Sequence, residues 1–481
     1  MTGATDKDTE PDDPSVIYLG RLRDFYEKKP AKPGFFGKGY RKLLAGYFRH
    51  FIPSNASVLE IGCGKGDLLA LLRNDDITGV DLDKRRIDDA RIRLPRGTFY
   101  VMSGEKLNLD RKFDYIIISD TVNEAADVQM MLQAALSVAK PETRLVLNFY
   151  NTLWKPILEL TSLMGLRTRP PVQNWLSGGD VENLLSLSGW ELVHREGKIL
   201  FPCPIPIVGQ LLNRLSPLLS WACLTVFEIA CPRGSKTKAS PSVSVIVPAR
   251  NEAGNIEAAF RRTPLMGERT ELIFVEGGST DNTWDRIQTL TGKTNAKGVV
   301  VSRVLRQKGK GKGDAVREGF KVATGDILMI LDADLTTSPE DLPKFHKALA
   351  DGRAEFANGV RLVYPMEDKA MRFLNMCANK FFGLAFTWLI GQRIKDTLCG
   401  TKVLYRRDYE KISANRAYFG DFDPFGDFDL LFGAAKLNLK IADIPIRYKN
   451  RTYGTTNINR FRHGLMLFHM LAVAASKLKF I

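Results

Sequence analysis

The sequence contains few cysteines and histidines, and neither residue type forms a recognisable pattern. Six cysteines are scattered along 481 residues without a C-x-x-C pair, and the five histidines have no metal-ligand spacing. A zinc site and a disulfide framework are therefore not indicated. Free cysteines are typical of a reducing compartment, so we expect a cytoplasmic protein.

Long hydrophobic runs are also missing. Residues 199–227 are apolar but contain Arg214 and four prolines, and residues 464–476 are fewer than the roughly 20 that a membrane-spanning helix needs. We therefore expect no spanning helix. The first thirteen residues are acidic and contain no apolar segment, so we do not expect a signal peptide. Residues 1–30 are expected to be a disordered or extended start.

Acidic residues are too few to balance the basic ones. The chain has 69 Lys and Arg against 54 Asp and Glu, and +11 of its net charge of +15 falls on residues 241–481. Such an excess predicts an anionic partner, which could be nucleic acid, phospholipid headgroups or a phosphorylated substrate.

Apolar strand-like runs alternate with helical patterns along the chain, which predicts two tandem α/β domains with parallel sheets. A polar segment, CPRGSKTKASPS, separates the two series of runs and is typical of a linker. The hydrophobic content of 44% is that of a globular chain. The predicted boundaries are 31–233 for the first domain, 234–241 for the linker, 242–459 for the second domain and 460–481 for a C-terminal helix.

A glycine-rich turn follows the first strand-like run. Gly62, Gly64 and Gly66 stand between the run VLEI and the helical pattern DLLALLR, where a backbone without side chains can approach a ligand. The next run, ITGVDL, brings Asp81 to the end of a strand, where an acid can accept both hydroxyls of a ribose. The alternative of a dinucleotide-binding protein is weaker, because its fingerprint is G-x-G-x-x-G.

Over about residues 40–233, these motifs resemble the class I S-adenosylmethionine-dependent methyltransferases. The resemblance implies a Rossmann-like fold that binds S-adenosyl-L-methionine, with the methionine part on the loop E-x-G-C-G-x-G that starts at Glu60. It also implies that Asp120, at the carboxyl end of the strand FDYIIIS, lies at the cofactor site. The sequence departs from the family at MSGEKL, where Ser103 replaces a frequent Asp, and either Glu105 or backbone groups are the expected substitute.

The methyl acceptor stays open at this point. Asp120, Asn148, Tyr150 and Asn151 stand at strand ends and are candidates for a base or an acceptor contact. The alternative, which we favour for each of these residues taken singly, is that NFYN forms a hydrogen-bonded turn without a catalytic role. The apolar, proline-rich segment 201–219 could cap the acceptor pocket, lie against lipid, or be a structural excursion without a role in function.

Polar residues also follow the apolar strand-like runs of the second domain, in PARNE, EGGSTD and DAD, and a loop KGKGKGDA precedes a helix. Nucleotides bind at the carboxyl ends of parallel strands in open α/β sheets. Asp332 and Asp334 end one of these runs, one residue apart and thus on the same side of an extended chain. Such a pair suits a Mg²⁺ or Mn²⁺ ion that bridges a diphosphate.

This series resembles the inverting family-two glycosyltransferases of GT-A fold, most closely those related to dolichol-phosphate mannose synthase, over about residues 243–459. The resemblance implies a nucleotide-sugar donor and a D-x-D metal site at Asp332 and Asp334. The segment VEGGST departs from the VDDGS of many relatives. The implied donor contacts are Pro248, Arg250, Asn251, Glu252, Glu276, Gly278, Ser279, Asp281, Lys312 and Asp332.

The same resemblance implies four residues near the reacting centre. Lys402 belongs to the acceptor-side segment RIKDTLCGTK, and Arg451 belongs to a loop that would neutralise the leaving diphosphate. Asp427 and Asp429 stand in FGDFDLL, where two residues two apart on a helix point in different directions, so we expect only Asp427 to reach the site. A lipid-phosphate acceptor needs no base, whereas a hydroxyl acceptor needs one.

The C-terminal segment carries no acids. Between Ile444 and Ile481 there are seven Lys and Arg, and Phe461, Leu465, Phe468 and Ala472 follow helical spacing. A basic amphipathic helix is typical of a membrane surface, and an ordinary helix packed on the domain is equally compatible with the pattern. No nucleic-acid-binding motif is present, so nucleic acid is not expected.

The sequence therefore predicts a bifunctional enzyme of glycan or glycolipid assembly, peripheral on the cytoplasmic face of a membrane. One half would transfer a sugar to a lipid-phosphate or membrane-proximal glycan acceptor, and the other a methyl group to an acceptor that the sequence does not name. The alternative is that one half only binds or scaffolds, which the departures at Ser103 and Glu276 favour and the intact Asp332 and Asp334 oppose. The oligomeric state stays open.

Overall fold

The protein folds as two compact α/β units, which divide between Arg233 and Gly234. The prediction of two tandem α/β domains is confirmed. The computed structural model of the chain describes residues 14–28, 35–165, 173–203, 205, 207–234, 238–361, 363, 373–418, 426–449, 453 and 460–481. The predicted site residue Arg451 lies outside these ranges.

The first unit is built on a seven-stranded sheet. Its strands are β1 (Val58–Ile61), β2 (Ile77–Asp81), β3 (Thr98–Val101), β4 (Phe113–Ser119), β5 (Ala139–Tyr150), β6 (Trp190–Lys198) and β7 (Thr225–Pro232). The spatial order is β3-β2-β1-β4-β5-β7-β6, in which β1 to β5 are parallel and β7 runs antiparallel to both β5 and β6. The order reverses between β1 and β4, so their carboxyl ends open a crevice suited to a ligand.

Side chains alternate between the two buried faces of this sheet. In β1, Val58 packs into one apolar cluster, whereas Leu59 and Ile61 pack into another on the opposite face. Helices cover both faces, as a buried parallel sheet requires. The helices of this unit are α1 (Pro14–Lys28), α2 (Phe35–Phe51), α3 (Lys84–Arg93), α4 (Val128–Ser137), α5 (Lys155–Leu163), α6 (Gly178–Leu187) and α7 (Val208–Arg214), of which α5 has no buried residue.

The expectation of a disordered or extended start over residues 1–30 is wrong for Pro14–Lys28, which form α1. Leu19, Leu22 and Tyr26 recur at helical spacing and line a cavity of the first unit. Their contacts there stabilise a helix that the acidic first thirteen residues do not predict.

The second unit also contains a seven-stranded sheet. Its strands are β8 (Val243–Ala249), β9 (Thr270–Glu276), β10 (Val300–Arg306), β11 (Ile327–Ile330), β12 (Phe356–Val360), β13 (Lys402–Tyr405) and β14 (Ile441–Pro445). The order is β10-β9-β8-β11-β13-β12-β14; β8 to β11 are parallel, and β13 is antiparallel to β11 and β12. The order reverses between β8 and β11, which places the ligand crevice there.

Helices surround this sheet and complete two apolar cores. They are α8 (Ile256–Arg262), α9 (Thr283–Gln288), α10 (Lys312–Val322), α11 (Leu342–Ala350), α12 (Phe373–Ile390), α13 (Arg406–Ala414), α14 (Asp427–Lys436) and α15 (Arg460–Leu478). Among the residues that the structure describes, no helix combines the length and apolar character needed to cross a bilayer.

The C-terminal helix α15 is apolar on two faces. Leu467, Met470 and Ala474 are buried in the core of the second unit. Leu465 and Phe468, which the spacing grouped with Ala472, are exposed instead, Leu465 to 75%. The side chain of Phe461 is not among those described. The helix therefore packs on the domain and also presents apolar side chains outward.

Candidate active sites

The glycine turn after β1 has the backbone conformation that its sequence predicts. Gly62, Gly64 and Gly66 all have positive φ, at 77°, 53° and 69°. L side chains rarely adopt these angles, and a Cβ atom on Gly62 would overlap the side chain of Thr121. The turn thus leaves its backbone open toward the switch point between β1 and β4.

Asp81 lies at the end of β2 and faces this turn. One carboxylate oxygen accepts a hydrogen bond from the Gly64 backbone N–H at 2.8 Å, and the other accepts one from the Asp83 N–H at 2.9 Å. Burial raises the pKa of Asp81. The carboxylate is therefore held in one orientation, with the remaining lone pairs available to ligand hydroxyls.

Glu60, in β1, is buried beneath the same turn. Its Oε2 atom is buried and has no hydrogen-bond partner among the described residues. Burial raises the pKa of this carboxyl well above its usual value. A buried acceptor without a partner is costly unless a ligand or water satisfies it, so Glu60 fits a cationic ligand such as an α-amino group.

A cavity of about 110 Å³ adjoins Gly62 and Asp81. Ser103 and Glu105 both line it, and the Ser103 hydroxyl donates to the Glu105 carboxylate. The other Glu105 oxygen accepts from the Ala126 N–H at 3.1 Å. The structure thus brings Glu105 to the cavity beside Gly62 and Asp81; its role as a substitute for Asp stays a prediction.

Helix α1 closes one wall of this cavity. The Tyr26 hydroxyl donates to the Glu124 carboxylate, and the Arg86 guanidinium lies 3.6 Å from the centre of the Tyr26 ring. Sequence reasoning missed these three residues. No local pattern could have indicated them, because Tyr26 and Glu124 are 98 positions apart.

Asp120 lies at the end of β4 in a left-handed conformation, with φ of 57°. Its Oδ1 accepts hydrogen bonds from the Tyr40 hydroxyl at 3.1 Å and from Asn148 Nδ2 at 2.6 Å. Burial raises the pKa of Asp120 to about 7, against the lowering effect of these two donors. A non-glycine residue with positive φ and a neutral-range pKa is typical of a functional position.

Of the other predicted acceptor contacts, the structure groups Tyr150 with Asp120 and places Asn151 elsewhere. The Tyr150 ring lies 6.2 Å from that of Tyr40. Asn151 caps a short 3₁₀ turn, and its Nδ2 donates to the backbone carbonyls of Trp221 and Cys223. Tyr40, which sequence reasoning missed, reaches Asp120 from α2.

In the second unit, hydrogen bonds join the turns after β8 and β9. Ser279 Oγ accepts from the Asn251 N–H at 3.0 Å, and Asn251 Oδ1 accepts from the Thr280 N–H at 2.8 Å. Asn251 and Gly278 have positive φ, at 57° and 73°. The buried Glu276 carboxylate accepts from the Ser279 N–H. The two turns therefore form one rigid edge of the crevice.

Glu252 and Asp281 form further hydrogen bonds within the same two turns. The Glu252 N–H donates to Thr283 Oγ1 at 2.9 Å, and its buried carboxylate accepts from Asn255 Nδ2 at 2.7 Å. Asp281 accepts from the Thr283 N–H at 3.0 Å. Pro248 lies within β8, and the Arg250 side chain is exposed beyond it.

Three charged residues from different segments meet at the carboxyl ends of β8 and β11. Lys312 Nζ lies 2.7 Å from Asp332 Oδ1 and 3.8 Å from Asp427 Oδ1. Burial opposes the charge of Lys312, but the two carboxylates outweigh it and raise the pKa of the ammonium. Lys312 in turn holds the pKa of Asp332 below its usual value despite burial. Lys312 and Asp332 are therefore both charged at neutral pH.

Asp334 lies in a turn and not on an extended strand. β11 ends at Ile330, and the Leu335 N–H donates to the Asp332 carbonyl at 3.1 Å, with Leu335 at φ of 54°. The expectation of two carboxylates on one side of an extended chain is wrong for this reason. Asp334 Oδ1 accepts from Thr336 Oγ1 at 2.8 Å. Within the described ranges, no group of three or more metal-ligating side chains occurs.

The structure separates the remaining predicted catalytic residues. Asp429 accepts from Arg416 Nε at 3.1 Å and lies 3.8 Å from Arg317, whereas Asp427 faces Lys312. Lys402 is fully buried, and its Nζ donates to the Cys399 carbonyl. Its ammonium helps to lower the pKa of Asp332.

A buried ion pair that the motif analysis did not identify lies beside this segment. The Arg361 guanidinium contacts both oxygens of Asp396, with Nε to Oδ2 at 2.7 Å and Nη2 to Oδ1 at 2.8 Å. Despite burial, Arg361 lowers the pKa of Asp396 to about 2. A bidentate pair of this kind fixes the loop that leads to Cys399 and Lys402.

Two family models match the chain, one in each unit. Residues 36–195 match the methyltransferase domain, and residues 244–412 match glycosyl transferase family 2. The chain is 40% identical over 123 residues to a dolichol-phosphate mannosyltransferase of Pyrococcus furiosus, covering 25% of this chain and 33% of the relative. It is 33% identical over 224 residues to an undecaprenyl-phosphate 4-deoxy-4-formamido-L-arabinose transferase of Klebsiella pneumoniae, covering 46% and 63%.

Solved structures also align with each unit. A SAM-dependent methyltransferase of Thermotoga maritima has 16% identity and a TM-score of 0.34, covering 45% of this chain and 99% of that one. The glucosyl-3-phosphoglycerate synthase of Mycobacterium tuberculosis has 22% identity and a TM-score of 0.36, covering 50% and 81%. The chain spans between a third and two thirds of the length of its first curated relatives. It carries a methyltransferase domain followed by a family 2 glycosyltransferase domain.

Proposed function

We propose that the chain is a bifunctional enzyme that transfers a sugar from a nucleotide sugar to a lipid phosphate and a methyl group from S-adenosyl-L-methionine to a second acceptor. The sugar transfer would be metal-dependent and would invert the anomeric centre. The observation that carries the proposal is that ionisable side chains from separate segments lie together at both switch-point crevices: Asp81 with Glu60 in one, and Lys312 with Asp332 in the other.

In the first unit, the glycine turn and Asp81 would hold the cofactor. The ribose hydroxyls would donate to Asp81, and the α-amino group would donate to Glu60, whose Oε2 has no hydrogen-bond partner among the described residues. When bound, S-adenosyl-L-methionine supplies an electrophilic methyl group. The positive φ at all three glycines supports this assignment, because L side chains rarely adopt such angles and the turn therefore requires glycine.

Asp120 would act as the base of methyl transfer. Its pKa of about 7 leaves a large fraction ionised at neutral pH while keeping it a good proton acceptor. Tyr40 and Asn148 hold the carboxylate in one orientation. A hydroxyl or amine acceptor at this position would lose its proton to Asp120 as it attacks the methyl group.

In the second unit, Asp332 and Asp334 would hold a Mg²⁺ or Mn²⁺ ion together with diphosphate oxygens. The donor set fits a hard cation, because it consists of carboxylate oxygens, and two protein ligands leave coordination positions for the substrate. Lys312 would contact the diphosphate as a point charge. Arg451, which lies outside the described residues, stays a prediction for the same task.

A lipid phosphate fits the acceptor side for two reasons. The relatives in the comparison are named for dolichol phosphate and undecaprenyl phosphate. The second unit also exposes a patch of large apolar side chains on α12 and α15, where the Phe382 and Phe468 rings lie 5.1 Å apart. We call this the α12/α15 patch; its exposed members are Phe381, Leu384, Trp388, Leu465 and Phe468. Such a patch is typical of a membrane contact.

We therefore place the protein at the cytoplasmic face of a membrane as a peripheral protein. The test is mass spectrometry of lipid-linked glycans from cells with and without the gene. In cells without the gene, we expect some lipid-linked glycans to lack a sugar residue. We also expect a methyl group to be missing, either from the same glycans or from different ones. Unchanged profiles in cells that make the protein would contradict both activities.

A further inference from the structure

The methyltransferase unit turns two rows of large apolar side chains outward. In α5, Ile157, Leu160 and Leu163 are exposed, as is Met164 just after it, and no residue of Lys155–Leu163 is buried. The spacing puts these four side chains on one side of the helix. An apolar stripe that faces outward is the reverse of the arrangement in a helix that packs only on its domain.

The second row belongs to α7 and the turn after it. Val208, Leu211, Leu215 and Leu218 recur at intervals of three or four residues and are all exposed. Asn213 is buried on the opposite side of the helix. Its Oδ1 accepts a hydrogen bond from the Phe201 N–H at 2.8 Å, and its Nδ2 donates one to the Phe201 carbonyl at 3.0 Å. These bonds tie α7 to Phe201 while the apolar side of the helix stays exposed.

Hydrogen bonds join the segment before α5 to the backbone at Trp221, whose side chain is 70% exposed. Trp154, just before α5, donates from Nε1 to the Ala222 carbonyl at 2.9 Å, and Asn151 donates to the Trp221 carbonyl at 2.8 Å. We call the exposed side chains of α5, of α7 with its following turn, and of Trp221 the outer apolar surface. Helix α5 begins five residues after Tyr150, whose ring stands beside Tyr40 at the Asp120 cluster.

We infer that a lipid bilayer covers the outer apolar surface and that the methyl acceptor is therefore a lipid or a lipid-linked molecule. The part that concerns the acceptor rests on the proposed methyl transfer. Along the second row charge favours a lipid: no acid occurs between Glu196 and Glu228, and Arg214 lies within the row. Helices of nine and seven residues cannot span a bilayer but can lie in its interface.

A protein partner fits this surface less well. Protein interfaces carry about one hydrogen bond per 100–200 Å², whereas the two rows consist of Ile, Leu, Val and Met side chains that have no hydrogen-bonding groups. The glycosyltransferase unit also exposes an apolar patch, the α12/α15 patch. A bilayer is one occupant that satisfies both units of the same chain.

Quenching by brominated phospholipid vesicles tests the docking directly. The full chain is mixed with phosphatidylcholine and phosphatidylglycerol vesicles, and the loss of fluorescence is compared with that of Trp221→Phe and Trp388→Phe. We expect each substitution to remove part of the quenching. If Trp388→Phe removes all of it and Trp221→Phe none, the inference is overturned and the proposed sugar transfer is untouched.

A pair of variants tests the surface by partitioning. Leu160→Gln with Leu163→Gln should lower the vesicle partition coefficient by roughly tenfold or more, because binding then lacks the favourable free energy of transferring two leucine side chains from water into the bilayer. The control is Ile92→Gln with Leu187→Gln, which changes two exposed apolar residues on α3 and α6 and should bind like the wild type. If the first pair instead lowers the solution mass in light scattering and leaves vesicle binding intact, the surface joins two copies of the chain, and the inference fails.

The acceptor is tested with radiolabelled S-adenosyl-L-methionine and a membrane extract. Label is expected in the organic phase, and a loss of that label is expected for Leu160→Gln with Leu163→Gln. Label in the aqueous phase alone would overturn the lipid acceptor. Calorimetric binding of the cofactor without lipid separates the two failures: a chain that binds no cofactor contradicts the proposed function, whereas one that binds it and labels only aqueous products contradicts the inference.

Discussion

Lys312 Nζ lies 2.7 Å from Asp332 Oδ1, although the two residues come from different segments and neither identifies the other in the sequence. The pair places a cation and an anion at the crevice where the diphosphate of a sugar nucleotide would bind. Asp427 completes it from α14, 3.8 Å from the same ammonium. The ammonium would pass from these carboxylates to the diphosphate when the donor binds.

Replacing Lys312 with Met should weaken donor binding. Among the described residues, Lys312 carries the only positive charge within 4 Å of both the Asp332 and the Asp427 carboxylate, and the variant removes it. We expect KM for the nucleotide sugar to rise by roughly tenfold to a hundredfold, since a charge-assisted contact contributes about 1.5–3 kcal/mol. The matched control is Lys321→Met on the same helix, whose exposed ammonium pairs with Glu318. A similar KM for both variants would contradict the donor role.

Asp334→Asn should abolish the response to metal. The amide keeps the size of the carboxylate and can still accept from Thr336, but it no longer carries the charge that a hard divalent cation requires. Turnover is expected to fall by about a hundredfold and to show no increase as Mn²⁺ is titrated. Asp285→Asn, at an exposed position of α9, serves as the control. Equal metal activation in both variants would refute the assignment.

Methyl transfer should depend on the ionisation of Asp120. With a pKa of about 7, the base is protonated at pH 6 and ionised at pH 8, so the rate should rise through this range and then level off. Asp120→Asn should lower kcat by roughly two to four orders of magnitude, and its rate should no longer rise between pH 6 and pH 8. Tyr40→Phe removes a donor that lowers this pKa, so its step should persist at a higher pH. An unchanged midpoint in Tyr40→Phe would argue against Asp120.

The same pKa has a consequence for stability. Because the folded pKa lies above the value of 3.8 for an unperturbed Asp, the folded state binds more protons than the unfolded state between about pH 4 and 7. Stability contributed by this group is therefore lost as the pH rises through that window. The Tm of Asp120→Asn minus that of the wild type should therefore increase from pH 5 to pH 8. Calorimetry at both pH values measures this difference.

Gly62→Ala should disrupt the cofactor turn. The added Cβ would overlap Thr121 and would also force a side chain into a positive φ of 77°. We expect at least a tenfold loss of affinity for S-adenosyl-L-methionine in calorimetry. Gly46→Ala is the control: it lies in α2, where the added Cβ meets nothing within 4 Å, and it should keep the affinity and stabilise the fold by about 0.5–1 kcal/mol. Normal binding by Gly62→Ala would show that the turn does not contact the cofactor.

The sequence by itself determined the parts of both sites that are local. Gly62 to Gly66 and Asp81 could be assigned because a strand, a turn and a strand end are short-range patterns set by backbone sterics and hydrophobic periodicity. Asp332 could be assigned for the same reason. Spacing alone misplaced Asp334, because it assumes an extended chain, and the turn closed by Leu335 is not visible as a pattern.

Tertiary structure decided what depends on distant segments. The contact of α1 with the cavity beside Gly62 joins residues nearly a hundred positions apart, and the approach of Lys312 and Asp427 to Asp332 requires three elements to pack at one sheet edge. In α15, apolar residues occupy two faces, so periodicity could not determine which face is buried. Packing against the core buries Leu467 and Met470 and leaves Leu465 and Phe468 outside, because only one face of a helix can contact the domain.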